Sequence, residues 1–231
     1  GKSVYRMGIG GLHSSESKAT HYSDDEHVLL DRDVTSYYPN IILRLGLYPT
    51  QIGPSFLNVY RDIYERRLVE KNRVKTLTKR IEELKAKINV QAELDLLEKE
   101  LYEAKAYTES YKTLLNGLYG KLGSPYSAFY SPHLKIQVTI TGQLALLMLI
   151  EEVEMSLFDV VSANTDGFVT KVPRACRDEF NEVCAEWERR TGFALEETEY
   201  RSLHSRDVNT YCGIALENGK VKAKLKGAFA P

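Results

Sequence analysis

Cysteine is scarce in this sequence, and the few cysteines are not arranged for metal binding or cross-linking. Only Cys176, Cys184 and Cys212 occur among 231 residues, and none of them forms a Cys-x-x-Cys pair. An odd number of widely spaced cysteines argues against a disulfide framework and against a cysteine-rich zinc site. Their scarcity favours a reducing compartment, so we expect a cytoplasmic location.

A long apolar run is also missing. No stretch of 18 apolar residues occurs, and the nearest candidate, residues 144–150, ends at Glu151 and Glu152. We therefore expect a buried helix there rather than a membrane span, and no membrane partner. The sequence begins with Gly1 instead of Met and shows no signal peptide, so we interpret it as a piece of a longer protein.

Neither charge sign is in excess. The 31 lysines and arginines face 32 aspartates and glutamates, which gives a formal net charge of -1. This excludes a basic coat over the whole surface but leaves room for a local basic patch. Hydrophobic residues make up 43% of the chain and charged residues 27%, a composition typical of a folded domain with a core rather than of a disordered chain.

Glycine and proline are absent between Pro54 and Gly117. Apolar residues recur there at steps of three and four in two blocks, residues 77–88 and 94–104, which predicts two amphipathic helices. The apolar stripe slips near Asn89, where we expect a tight turn that folds the helices back as an antiparallel hairpin. The periodicity alone also fits a coiled-coil arm with a purely structural role.

The other elements alternate irregularly between strand and helix. Residues 1–24, rich in glycine, serine and histidine, are typical of a loop. The pattern predicts a buried strand at 27–33, a short helix at 40–46, an apolar helix at 133–158, a strand–turn–strand at 158–169, an amphipathic helix at 174–190 and a hairpin of 211–216 with 220–226. Hairpins imply antiparallel pairing, so we expect an α+β fold in which helices flank an antiparallel sheet and the helical hairpin is an insertion.

Two aspartates lie where predicted strands end. Asp33 closes the strand at 27–33, and Asp166 lies at the tip of the hairpin at 158–169. If these strands are neighbours, the two carboxylates converge into a site that suits Mg²⁺ together with substrate phosphates. An aspartate at a turn is more often only a turn former, so the spacing leaves both interpretations open. Asp31, two residues before Asp33, is expected to be a solvated or supporting acid.

Two sets of residues that could bind phosphates follow a regular spacing. Lys112, Asn116 and Tyr119 share one helical face and suit a triphosphate and a base, although a solvated lysine and a packed tyrosine would give the same pattern. Lysines alternate with apolar residues over 220–226, which places four ammonium groups on one face of a strand. That face fits a nucleic-acid backbone, or lysines that protect an edge strand from pairing.

Taken together, these motifs resemble those of family B DNA polymerases, the replicative enzymes of phages, archaea and eukaryotes. DVTSYYPNII at 33–42 is similar to motif A, D-x-x-S-L-Y-P-S-I-I; KTLLNGLYG at 112–120 to motif B, K-x-x-x-N-S-x-Y-G; and SANTDG at 162–167 to motif C, Y-x-D-T-D-S. TITGQ at 139–143, YCG at 211–213 and Gly10-Gly11 are similar to three shorter elements of the family. The resemblance covers nearly the whole chain and is closest in style to phage members.

The resemblance implies a palm in two parts and a fingers insertion. Residues 1–54 would carry motif A, 55–118 the fingers hairpin and 119–231 motif C, with the family's exonuclease and thumb absent. It implies template-directed transfer of dNMP to a primer 3′-hydroxyl with two Mg²⁺ ions, for which Mn²⁺ can substitute. The implied partners are primer–template DNA, dNTP and the missing domains of a parent chain, in the host cytoplasm if the protein is viral.

The resemblance also implies roles for single residues. Asp33 and Asp166 would be the catalytic metal ligands, assisted by the carbonyl of Val34, and Tyr38 would exclude a ribose 2′-hydroxyl. Arg67, Lys112, Asn116 and Tyr119 would bind the nucleotide. The implied contacts to DNA are Gly10, Gly11, Thr139, Gly142, Gln143, Tyr211, Lys224 and Lys226.

Some positions depart from the family pattern. Asn164 replaces the first aspartate of motif C, Gly117 replaces the serine of motif B, and Val208-Asn209 replaces a lysine pair before Tyr211. These departures keep a second interpretation open, a non-catalytic DNA-binding module with a polymerase-like fold. The retained Asp33, Asp166, Lys112 and Asn116 favour the enzyme, because a catalytically dead relative would be expected to lose some of them.

Overall fold

The computed structural model describes residues 4–8, 10–85, 87, 90–217 and 220–230. The chain divides into two compact units. The first joins Gly1–Asn40 with Ile136–Pro231, and the second is Ile41–Lys135. The second unit is longer than the predicted insertion at 55–118, because it also includes 41–54 and 119–135.

An antiparallel sheet forms the centre of the first unit. Its strands among the described residues are β1 (Tyr5–Met7), β2 (Leu12–Ser14), β3 (Ser17–Tyr22), β4 (His27–Val34), β5 (Asp159–Asn164), β6 (Gly167–Pro173), β7 (Leu195–Asp207), β8 (Thr210–Glu217) and β9 (Lys220–Leu225). The strand order is β1-β2-β5-β6-β4-β7-β8-β9. The long strand β7 pairs with β4 through its first half and with β3 through its second half.

Strand β4 lies at the centre of this sheet, between β6 and β7. Val28, Leu29 and Leu30 are fully buried in succession, which shows that both faces of the strand are covered. Leu29 packs on one face with Tyr200 and Leu203. On the other face Arg32 donates to the side chain of Asn181 at 2.5 Å. Because side chains alternate along a strand, Asp31 and Asp33 share the face of Leu29 and lie away from Arg32.

The helices are α1 (Tyr37–Arg44), α2 (Ser55–Lys85), α3 (Gln91–Lys121), α4 (Pro132–Met155) and α5 (Arg177–Thr191). Helix α5 packs against α4, where Trp187 is fully buried and its indole nitrogen donates to the Ala145 carbonyl at 2.9 Å. Phe180 of α5 makes an edge-on contact with Phe158. The described residues therefore form an α+β fold with an antiparallel sheet flanked by helices, which confirms the predicted fold class.

Helices α2 and α3 form the predicted hairpin in the second unit. Leu77, Ile81 and Leu84 of α2 pack with Leu97 and Ala104 of α3. Two ion pairs between the helices run in opposite directions along the chain: Arg73 pairs with Glu100, and Arg80 pairs with Glu93. The helices are thus antiparallel, and the expected turn at Asn89 falls outside the described residues.

The sequence pattern missed several strands. Residues 1–24 contain β1, β2 and β3, where the pattern predicts a loop, and β7 was not predicted at all. Strand β3 has no alternating apolar residues, and β7 is polar over most of its length. Both are held by backbone pairing with neighbouring strands, which a local hydrophobic pattern does not report. Helix α1 begins at Tyr37, three residues before its predicted start.

Helix α4 is the one helix in the described chain that is long and apolar enough to cross a membrane by length and composition. The most apolar window of this helix is 44% buried. Val138, Leu146, Leu149 and Ile150 are fully buried. A single helix of this kind is also typical of a protein core.

Candidate active site

The pairing of β4 with β6 brings Asp33 beside Asp166. Asp33 lies directly opposite Gly167, and the Val34 backbone nitrogen donates to the Asp166 carbonyl at 2.7 Å. A Cβ atom at Gly167 would collide with Asp33 Oδ1 and with the Arg32 carbonyl oxygen. The glycine therefore leaves the space that the Asp33 carboxylate occupies. The two strands are neighbours, which is the condition under which the sequence argument brings the two carboxylates together.

A polar cavity of about 330 Å³ opens in front of these two aspartates, within the first unit. Its walls come from the ends of β4, β5 and β6 and from the strands β7 to β9. The lining residues are Asp31, Asp33, Ser162, Asn164, Thr165, Asp166, Gly167, Phe168, Val169, Leu203, Asn209, Tyr211, Lys224 and Lys226. Acidic and basic side chains therefore meet in one confined volume.

Lys224 bridges two of the carboxylates. Its Nζ atom donates to Asp31 Oδ2 at 2.8 Å and to Asp33 Oδ2 at 2.7 Å. Asp31 is only 5% exposed, and the Tyr200 hydroxyl donates to the same Oδ2 atom at 2.6 Å. The sequence left open a solvated or a supporting role for Asp31. The solvated role is wrong, because β4 is covered on both faces and Asp31 is buried.

The electrostatics of the cavity follow from this crowding. Burial disfavours the ammonium of Lys224, yet the charges of Asp31 and Asp33 raise its pKa overall. Burial and the neighbouring Asp33 raise the pKa of Asp31, while Lys224 and Tyr200 oppose the rise. The pKa of Asp166 is raised to about 6, mainly because burial removes water from its carboxyl and then because of the charge of Asp33. Asp33 and Asp166 therefore repel each other.

This donor set fits a hard divalent cation. Asp166 is exposed where it lines the cavity, while the partial burial of its carboxyl, and then the charge of Asp33, raise its pKa. Carboxylate pairs of this kind hold Mg²⁺ together with substrate phosphates and water. Among the described residues no group of three or more His, Cys, Asp or Glu side chains forms a complete protein cage for a metal.

Asn164 donates a side-chain hydrogen bond that an aspartate at this position could not donate. Its Nδ2 atom donates to the Val208 carbonyl at 2.8 Å, and its Oδ1 atom accepts the Thr165 hydroxyl at 2.9 Å. The first bond fixes the β7–β8 turn at one wall of the cavity. The amide of Asn164 therefore connects motif C to the Val208-Asn209 segment.

The Gly10-Gly11 element contacts both aspartate motifs. A Cβ atom on Gly11 would lie 2.8–2.9 Å from atoms of Thr165, so only glycine permits this approach. The Thr165 nitrogen also donates to the Leu12 carbonyl at 2.8 Å. The Gly10 carbonyl accepts the Tyr38 hydroxyl at 2.6 Å. This element thus links motif A and motif C from the amino-terminal side.

Three other predicted DNA contacts lie in different surroundings from those expected. Thr139 and Gln143 are each 4% exposed, and Gln143 donates to the Gly8 carbonyl at 2.5 Å. The Gly142 carbonyl accepts the hydroxyl of the buried Tyr37 at 2.6 Å. In this structure the TITGQ element fastens α4 to motif A, and Thr139, Gly142 and Gln143 are buried there rather than open to DNA.

The predicted nucleotide-binding residues of motif B lie in the second unit. Lys112 and Asn116 are exposed on α3, and Lys112 pairs with Glu109 at 3.5 Å. Tyr119 is half-buried, with the Lys135 ammonium 6.0 Å from its ring centre. These residues share one helical face, as the spacing predicts.

The arginine expected on the facing helix lies in the same unit. Arg67 is half-buried on α2, whereas the neighbouring Arg66 is exposed and pairs with Asp62 at 2.8 Å. The choice of Arg67 for nucleotide binding stays a prediction.

Sequence reasoning missed Tyr200, Leu203 and Asn209 as cavity residues or partners, since all three belong to β7 or its following turn. The run Val28-Leu29-Leu30 before Asp31 could have indicated that Asp31 is buried. Tyr211 lines the cavity as expected for the YCG element, and burial raises its pKa to about 12.

Comparison with known proteins gives a match in fold. No protein-family model matches this chain, and no curated protein matches it in sequence. The fold is similar to that of the family B DNA polymerase from the hyperthermophilic archaeon Pyrobaculum calidifontis, with a TM-score of 0.59 and 18% sequence identity. The match covers 92% of this chain and 28% of the archaeal chain. The chain therefore has a family B polymerase-like fold and spans little more than a quarter of that relative.

Proposed function

We propose that this chain is the palm and fingers region of a phage-like family B DNA polymerase and that it catalyses template-directed DNA synthesis. The observation that most supports this proposal is that Asp33 and Asp166 lie next to each other where β4 and β6 pair. The similarity in fold to a DNA polymerase supports the same reaction class. The reaction is attack of a primer 3′-hydroxyl on the α-phosphate of a dNTP, with release of pyrophosphate.

Asp33, Asp166 and the Val34 carbonyl would hold two Mg²⁺ ions. Such ions activate the attacking hydroxyl and neutralise the charge that develops on the leaving pyrophosphate. The protein's own work is then to position the reactants and to complement their charge. Asp33 is fixed for this by its place opposite Gly167, and Asp166 by the bond that its carbonyl accepts from Val34.

Tyr38 is the residue we assign to sugar selection. Its hydroxyl is fixed by the Gly10 carbonyl, and its ring is parallel to that of Tyr37, with 6.2 Å between the ring centres. A ring held at both ends cannot easily swing away from a ribose 2′-hydroxyl. The substrate is therefore dNTP rather than rNTP.

Nucleotide binding by the second unit would use Arg67, Lys112 and Asn116 for the triphosphate and Tyr119 for the new base pair. Lys112 is exposed and pairs only weakly, at 3.5 Å, with an exposed Glu109. A triphosphate can displace such a partner, because exposed ion pairs contribute about 0–1 kcal/mol. Gly10, Gly11, Tyr211 and Lys226 stay the proposed DNA contacts. The predicted DNA contact of Lys224 is replaced here, because its ammonium donates to Asp31 and Asp33.

A second candidate is a DNA-binding module without catalysis. The observation in its favour is the ammonium of Lys224 on the Asp33 carboxylate, where a metal ion is required for catalysis. Primer extension with Mg²⁺ or Mn²⁺ distinguishes the two, with Asp33→Asn as the matched variant. Extension that is lost in the variant supports the polymerase. Tight primer–template binding with no extension in either metal, also in a longer parent chain, supports the module.

A further inference from the structure

Lys224 contacts two aspartates of β4 that lie 193 and 191 positions before it in the chain, Asp31 and Asp33. The Nζ atom lies 2.8 Å from Asp31 Oδ2 and 2.7 Å from Asp33 Oδ2, so it belongs equally to both carboxylates. The two carboxylates differ in their surroundings. The side chain of Asp33 is 43% exposed and reaches the cavity, whereas that of Asp31 is 6% exposed and lies behind it.

The buried surroundings of Asp31 favour a bound cation. Tyr200, which is 1% exposed, donates its hydroxyl to Oδ2 of Asp31 at 2.6 Å. A buried carboxylate with one neutral donor and no positive partner is costly, since burial removes it from water. In the described structure the ammonium of Lys224 supplies that charge. Asp31 therefore gives Lys224 a partner that does not depend on Asp33.

A divalent ion on Asp33 would meet the ammonium at short range. Two cations that share one carboxylate repel each other strongly inside a protein, where the effective dielectric constant is low. The ammonium has a second acceptor already within hydrogen-bond distance, so it can leave Asp33 without leaving its site.

We infer that Lys224 is a positioning residue that occupies the metal position on Asp33 in the free enzyme and moves wholly onto Asp31 when a divalent ion binds. This inference rests on the proposed function, since it takes Asp33 as a metal ligand. Lys224 then competes with the metal, and Asp31 relieves that competition by taking the ammonium. Removal of the two residues therefore has opposite effects on metal affinity.

Metal binding can be measured without catalysis through the luminescence of Tb³⁺ excited by tyrosine, with Mg²⁺ as the competitor. Tyr200 and Tyr211 lie beside the carboxylates and provide the excitation. Lys224→Met is expected to bind Tb³⁺ about tenfold more tightly, and Asp31→Asn about tenfold more weakly, because one nearby charge changes the affinity of a carboxylate for a cation by about this factor.

The double variant Asp31→Asn with Lys224→Met keeps the net charge and removes the competitor, so it should bind at least as tightly as the wild type. It also keeps the test valid if Lys224→Met alone fails to fold because Asp31 is then buried without a positive partner. Lys222→Met is the matched control on the same strand and face, two residues away. Its exposed charge is screened, so we expect a change of less than about twofold.

The outcomes separate the inference from the proposed function. Opposite shifts in the two single variants support the inference. Shifts in the same direction, or a double variant as weak as Asp31→Asn, overturn it and leave the metal site in place. Unchanged Tb³⁺ affinity in Asp166→Asn overturns the metal site itself, and the inference with it.

Discussion

The backbone nitrogen of Val34 donates to the carbonyl of Asp166 over 2.7 Å, so the strand that carries motif A ends where motif C turns. This bond sets the spacing of the two aspartates proposed to bind the metal ions, and it does so through the main chain. It does not involve the side chains: the Asp33 carboxylate accepts from Lys224 at 2.7 Å, and Asp166 lines the cavity. Substitutions that disturb the main chain here should therefore act as strongly as loss of a carboxylate.

Gly167→Ala tests the close approach of β6 to Asp33. The added Cβ would collide with Asp33 Oδ1 and the Arg32 carbonyl, and overpacking of this kind costs about 1–3 kcal/mol. We expect a lower free energy of unfolding in urea and a loss of most primer extension. Gly117→Ala is the matched control for stability. Its Cβ meets nothing within 4 Å, and alanine stabilises a helix by about 0.5–1 kcal/mol relative to glycine.

Asn164→Asp tests the departure from the family pattern at motif C. The aspartate cannot donate to the Val208 carbonyl, and leaving a hydrogen-bonding group without its partner costs about 1–3 kcal/mol. We expect a lower melting temperature, with primer extension retained or increased because the two-carboxylate site is kept. A variant that is fully stable but inactive would contradict the role given to Asn164.

Tyr38→Val tests sugar selection. Loss of the ring opens the space that a ribose 2′-hydroxyl would need, so the ratio of rNTP to dNTP incorporation should rise at least about tenfold, a difference of about 1.4 kcal/mol between the two barriers. Tyr38→Phe keeps the ring and loses only the bond to Gly10, so its discrimination should stay near that of the wild type. Equal discrimination in all three proteins would remove Tyr38 from this role.

The raised pKa of Asp166 predicts a pH dependence with a definite sign. The folded state binds this proton more tightly than the unfolded state, so the stabilising contribution of protonated Asp166 is lost as the pH rises through about 6. Asp166→Asn should therefore melt at a higher temperature than the wild type at about pH 8, and the difference should vanish near pH 4, the usual carboxyl range. Primer extension by the wild type should fall below about pH 6, as protons compete for the site. Equal pH profiles of melting for both proteins would contradict this.

Much of the fold could be predicted, because local patterns of apolar residues along the sequence indicate its helices and its central strand. The heptad-like spacing of Leu77, Ile81 and Leu84 gives the helical hairpin, and the continuous apolar run before Asp33 gives the central strand. Strands β3 and β7 could not be predicted, because their stability comes from backbone pairing across the sheet. The sequence motifs indicated Asp33 and Asp166 as candidate metal ligands. The contact of Lys224 with Asp31 depends on how distant strands pack, which spacing along the chain does not reveal.

The most direct test of the central claim is incorporation of a single nucleotide on primer–templates that differ only in the first template base. We predict that the wild-type chain adds the complementary dNMP in Mg²⁺ or Mn²⁺. Asp166→Asn should lose at least about a thousandfold in rate, equivalent to about 4 kcal/mol. Incorporation that ignores the template, or that persists at the wild-type rate in Asp166→Asn, would contradict the account.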